Sequence, residues 1–341
     1  MKIKKTLALA VAGMFVLTAC ADDEPAPAST NGDAGVEVGD DNPDGRTVRI
    51  AFSFPGADHG WLAAITNNAT AEADRWDDVE FIPIEGTNDS ASQASQVETL
   101  INESPDALII LPHEGDALTP VALEAMKMGI PVINVDREFS TPAAYRTWIG
   151  GDNYGIGKAA GEYIAEQLDC SGNVVEIQGL AGISVTDLRT QGFADAIAEL
   201  CGDGIQIVAQ QPADFLPDRG LEVMEAILQA QEQIDAVYTH DDDMAEGVVA
   251  AIENAGREDE MFVTGAGGSS NAFDAIAEGG LYKATFLYNP SMAASAVRLA
   301  RLIALGAAMD DLVEPEVPSR IQLPATTVTA ENVESLRYLG Y

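Results

Sequence analysis

The chain has 341 residues, of which 55 are acidic and 18 basic, for a formal net charge of −37. That excess of negative charge argues against nucleic acid or an anionic membrane surface as a partner. The length leaves room for two domains, each with its own apolar core.

In chain order, Lys2, Lys4 and Lys5 precede an uncharged run over 6–19, a basic stretch followed by an apolar one too short to span a bilayer. The run stops at Leu17, Thr18, Ala19 and Cys20. This ending resembles the lipobox of bacterial lipoproteins. The resemblance implies a signal peptide over 1–19 and a lipidated Cys20 that anchors the protein outside the cytoplasm, in the periplasm or on the cell surface. An ordinary secretory leader that ends near a cysteine is the alternative. Residues 20–45 are rich in Asp, Glu, Pro, Ala, Ser and Gly, with too few large apolar side chains to offset chain entropy, and are expected to form a disordered acidic tether.

From Thr47 onward, short β-branched runs alternate with longer amphipathic stretches, the pattern of a doubly wound α/β protein. The expected strands lie over 48–54, 79–84, 107–111, 132–135 and 147–150, and in a second series over 174–178, 205–210, 236–239, 261–264 and 284–287. Helices are expected over 62–76, 91–102, 117–128, 155–168, 190–200, 220–231, 244–255 and 290–305. The two series suggest two similar lobes, with crossings near 150–153, 287–290 and 320–324 that together would form a hinge. Cys170 and Cys201 each follow a helical stretch and precede a strand in an exported chain, so a disulfide between them is expected, two free thiols being the alternative.

Three motifs carry chemistry. PVINVDREF (131–139) reads as a buried parallel strand running into Asp136 and Arg137, and ligands of open α/β sheets collect beyond such strand ends; a turn capped by Asp136 with a solvated Arg137 is the alternative. His240, Asp241, Asp242 and Asp243 cannot all point inward at one metal, so Asp241 is expected to face a ligand while Asp242 or Asp243 caps the next helix. Gly265, Ala266, Gly267 and Gly268 lack the Lys-Ser or Lys-Thr ending of a phosphate loop and read as a tight turn between strand and helix. No GxSxG, HExxH or Cys and His arrangement is present, so no enzyme, metal or cofactor is expected.

IAFSFPGADHGWLAAI (50–65), VINVDREF, GGDNYGIGKAAGEYIAEQL (150–168), VVEIQGLAGISVTDLRTQGF (174–193), QQPADF (210–215) and AVYTHDDDMAEGVV (236–249) occur in an order and spacing that identify a family. From about Thr47 to the end, the chain resembles the ribose-binding-protein type of periplasmic binding protein, the sugar-capturing component of ABC importers. The resemblance implies the type I fold, two Rossmann-like lobes joined by a three-strand hinge. It divides the chain into one lobe of 46–151 plus 289–321 and another of 152–288 plus 322–341. It also implies ligand contacts from His59, Trp61, Leu62, Asp136 and Arg137 in the first lobe, from Arg189, Phe215 and Asp241 in the second, and from Tyr288 at the hinge.

Sugar chemistry supports the same set, because carboxylates and guanidinium groups bind hydroxyls and aromatic faces grip C–H surfaces. Leu111, Gly267 and Tyr288 stand where ribose binders place Asn, Asp and Gln. Several ribose contacts are therefore missing, which implies another neutral monosaccharide or a polyol, with space at Gly267 for a larger substituent. The expected protein is a monomeric, lipid-anchored solute-binding protein that closes on its ligand and presents it to an ABC permease. A sensory binding protein for a receptor kinase or chemoreceptor, and a secreted sugar-acting enzyme, are the alternatives.

Overall fold

The structure is a computed structural model that describes residues 42–84, 86–307 and 316–341. The signal peptide, Cys20 and the tether up to residue 41 lie outside the described residues.

The first lobe opens with β1 (Val48–Ser53), α1 (Gly60–Ala73), β2 (Val79–Ile84), α2 (Ser90–Asn102), β3 (Ala107–Ile110), α3 (Gly115–Lys127), β4 (Val132–Val135) and β5 (Thr147–Gly151). The second contains α4 (Asn153–Gln167), β6 (Gly172–Gln178), α5 (Ser184–Cys201), β7 (Ile205–Pro212), α6 (Pro217–Ala230), β8 (Ala236–Thr239), α7 (Asp242–Ala255), β9 (Phe262–Gly267), α8 (Ser270–Glu278) and β10 (Tyr282–Leu287). The chain then returns to the first lobe for α9 (Met292–Leu305) and β11 (Arg320–Leu323), and ends in the second with β12 (Thr327–Thr329) and α10 (Val333–Leu336).

Among the described residues each lobe holds one six-stranded sheet, ordered β11-β5-β4-β3-β1-β2 and β12-β10-β9-β8-β6-β7. Every pairing is parallel except that of β10 with β12. The central strands β3, β4 and β8 are buried at every position, as unbroken runs such as Ala107–Ile110 require when helices cover both faces. The edge strands β2 and β7 keep half-buried and exposed positions along most of their length. In the first sheet the winding direction reverses between β1 and β3, and in the second between β6 and β8. Those reversals are the points at which doubly wound sheets open a crevice for ligand.

The crossings fall at Asp152, at 288–291 and at 324–326. Asp152 accepts the backbone N–H of Gly155 at 2.9 Å and starts α4 directly after β5. Because β11 pairs with β5 through Leu323, the boundary expected between 321 and 322 lies two residues too early. The helix expected over 190–200 begins at Ser184, which places Arg189 inside its second turn. The helix expected over 290–305 begins only at Met292, leaving Pro290 in the crossing. Cys170, just beyond α4, and Cys201, at the end of α5, are joined as a disulfide with Cα atoms 5.0 Å apart.

Candidate functional site

A small cavity lies where the two crevices meet, beyond the carboxyl ends of the strands, where open α/β sheets bind their ligands. Nine of its walls are residues that the sequence singles out: His59, Trp61, Asp136, Arg137, Arg189, Phe215, Asp241, Gly267 and Tyr288. Val185 and Ala266 complete the lining. Leu62 is the exception: it is buried in the apolar core and faces an adjoining cavity with Asp58, Asn88 and His113. On a helix, neighbouring positions point in different directions, so Trp61 and Leu62 cannot share one wall.

The first lobe's contribution begins at β4. Asp136 adopts φ 64, in the left-handed region that acids tolerate better than most side chains, so the chain turns sharply at the strand end. The residue is 4% exposed. It accepts the hydroxyl of Tyr288 and lies 3.7 Å from Nε of Arg137. Burial pushes its pKa up, while Arg137 and the Tyr288 hydroxyl oppose that shift. Arg137 donates from one terminal nitrogen to the carbonyl of His113 at 2.6 Å, and its Nε has no hydrogen-bond partner in the protein. On the loop between β1 and α1, Nδ1 of His59 and Oδ1 of Asp58 are 2.6 Å apart, and the imidazole stacks on Phe215 of the other lobe at 5.9 Å.

Tyr288 ties the crossing to both lobes. Its carbonyl accepts Nε1 of Trp61 at 2.7 Å, and its hydroxyl accepts Nδ2 of Asn153 at 3.2 Å. The Trp61 and Tyr288 rings lie 5.3 Å apart. Gly151 is needed beside this ring, because a Cβ there would stand 2.2 Å from it. From the second lobe, Arg189 places its guanidinium 4.7 Å above the same ring. Its Nε donates to Oδ1 of Asn153 at 2.9 Å, and a terminal nitrogen donates to the carbonyl of His240. Beneath that carbonyl, the His240 ring and Glu176 form a fully buried pair at 2.8 Å, with Glu176 also accepting from Thr190 and Gln210.

The acidic run divides its work differently from the expectation. Asp241, not Asp242 or Asp243, caps α7, its Oδ1 accepting the Met244 N–H at 3.1 Å, while the residue also lines the cavity. Burial first, then Asp243 and Asp242, raise its pKa well above the ordinary carboxylate range. Asp242 turns into the protein and accepts four hydrogen bonds, from Tyr282, Thr285 and the backbone of Gly268 and Ser269. Asp243 reaches across to the first lobe, where its Oδ2 accepts the Trp61 N–H at 3.2 Å. Among the described residues no group of three His, Cys, Asp or Glu side chains could hold a metal ion.

The space expected at Gly267 is partly taken. A Cβ on Gly267 would lie 2.8 Å from the hydroxyl of Tyr341, a residue that local sequence does not connect with the site. Asn153 and Asp243 were equally hidden, since each acts through a partner distant in the chain.

Residues 50–308 match the family described as periplasmic binding protein domain. The ribose import binding protein of Bacillus subtilis is 31% identical over 77% of this chain and 81% of its own length. The galactofuranose-binding protein of Escherichia coli is 32% identical over 86% of this chain and 93% of its own. A solved ABC transporter solute-binding protein from Bacillus halodurans, with myo-inositol bound, superposes with a TM-score of 0.79 at 29% identity, covering 87% of this chain and 99% of that one. Since the family match runs from within β1 to just past α9, and so takes in both crevices and two of the crossings between them, this chain belongs to the periplasmic binding protein family.

Proposed function

We propose that the protein is the solute-binding component of an ABC importer and that it captures one neutral monosaccharide or polyol by closing its lobes. The carrying observation is the make-up of the cavity wall: the carboxyl groups of Asp136 and Asp241 and the guanidinium groups of Arg137 and Arg189 stand beside aromatic faces from Trp61, Phe215 and Tyr288. Such a wall suits a polyhydroxy ligand. It offers acceptors and fixed donors to hydroxyls and apolar faces to C–H bonds. The relatives' names, which refer to ribose and galactofuranose, support the same class of ligand.

Closure follows from the division of the wall. His59, Trp61, Asp136 and Arg137 come from one lobe and Arg189, Phe215 and Asp241 from the other, so a ligand gains its full set of bonds only in the closed state and shifts the population toward it. In this reading the lobes are 46–151 plus 289–323 and 152–288 plus 324–341, and the closed shape is what the permease reads. Family membership implies work outside the cytoplasm, and among the described residues no helix is long and apolar enough to cross a membrane. Cys20 would hold a monomer at the membrane through its lipid, and the ligand would leave unaltered.

A thermal-shift screen over pentoses, hexoses, polyols, sugar phosphates and amino acids tests the reading, because a ligand that binds only the folded state raises the melting temperature. The expected hit is a neutral sugar or polyol, recovered chemically unchanged by mass spectrometry. A protein that responds only to charged ligands, or that converts its sugar, would overturn it.

A further inference from the structure

Gly267 closes β9 at φ 138 and lines the cavity with no side chain of its own. The volume beside it belongs to Tyr341, whose hydroxyl would lie 2.8 Å from a Cβ at 267. The segment carrying Tyr341 is fastened by backbone bonds: Ser270 N–H donates to the Tyr341 carbonyl at 2.9 Å, and Nδ2 of Asn289 donates to the Leu339 carbonyl at 3.0 Å. The ring packs against the apolar cluster that contains Trp61, Ala266 and Tyr288, which accounts for the ring but not for its oxygen.

That oxygen is shielded from solvent and has no hydrogen-bond partner in the protein. Its neighbour Asp242 already accepts four other donors. Burial, reinforced by Asp241, Asp242 and Asp243, holds the phenol pKa well above its ordinary value, so the group remains a neutral donor. A buried hydroxyl without a partner costs stability unless something else satisfies it.

We propose that Tyr341 is a ligand-binding and specificity-determining residue, its hydroxyl bonding a hydroxyl of the bound sugar beside Gly267. The proposal rests on the sugar-binding reading above. It adds a contact supplied by a segment outside both crevices. It also implies that the site discriminates against analogues lacking that one hydroxyl, as sites built around a hydrogen bond do.

The experiment compares the unaltered protein with Tyr341→Phe by calorimetry, using D-ribose, D-galactose, D-fructose, L-arabinose and myo-inositol, each with its monodeoxy analogues. The variant is expected to bind the best of these about 5- to 30-fold more weakly. One deoxy analogue should lose as much on the unaltered protein yet bind both proteins equally, the mark of a shared bond. Without ligand, the variant should melt at the same temperature or higher, because no internal bond is removed. Equal affinity for a sugar that the unaltered protein binds would overturn this inference alone. A ligand-free melting temperature lowered by more than about 2 °C would show the hydroxyl bonded within the protein and overturn it as well. If none of the probes binds the unaltered protein, the sugar-binding reading falls for these ligands and takes the inference with it.

Discussion

Asp136 and Phe215 both stand at positive φ, 64 and 65, and both line the cavity. A bulky side chain seldom adopts that conformation unless its surroundings impose it, and such residues gather at binding sites. The arginines face the same cavity from opposite lobes, and each is anchored by a backbone carbonyl that fixes its direction. Replacing Arg137 or Arg189 by Ala removes charged donors that contribute roughly 1.5–3 kcal/mol each when desolvated, so sugar affinity is expected to fall about 100-fold or more for either variant. Calorimetry, with circular dichroism to confirm folding, checks this, and affinity retained within tenfold would remove that residue from the site. These side chains were legible because each follows a recognisable strand or motif. Tyr341 was not, since its place beside Gly267 depends on how 73 intervening positions fold, and no local pattern encodes that contact.

At the scale of elements, α1 and α7 point their N-termini toward one another across the cleft. His59, at the N-cap position of α1, makes no capping bond with its side chain, and the carboxylate of Asp243 from α7 supplies one to Trp61 instead. A carboxylate is favourable at a helix N-terminus, and here the helix and the acid belong to different lobes. Loss of a cap costs about 0.5–2 kcal/mol, and if the cap forms only on closure, Asp243→Ala should weaken sugar binding about 2- to 30-fold without touching the ligand. Titration of that variant tests the cross-lobe cap, and an unchanged affinity would show that the cap contributes nothing to closure. Strand positions and helix order could be read from apolar periodicity. Helix starts were harder: α5 begins at Ser184, six residues before the expected start, with Ile183 at its N-cap position making no side-chain cap, and α7 takes its cap from Asp241 where three successive acids compete for the role.

For the whole molecule, the two sheets repeat one winding scheme, and the segments that follow β1 and β4 in the first lobe and β6, β7 and β8 in the second contribute to one cavity. α9 returns to pack on α1 and β1, and the buried carboxylate of Glu72 on α1 holds Arg298 of α9 at 2.6 Å, so the returning segment is bound into the first lobe. α4 packs on α5 in the second lobe, and the three crossings between are short, at one, four and three residues. Such an arrangement suits two firm bodies turning about a narrow strip, the geometry by which hinged proteins close around a ligand. The most direct measurement is a crystal structure of the protein grown with the neutral sugar that stabilises it most. The sugar is predicted to lie between Arg137 and Arg189, bonded to both lobes. A sugar held by one lobe alone, or found on another surface, would contradict the account.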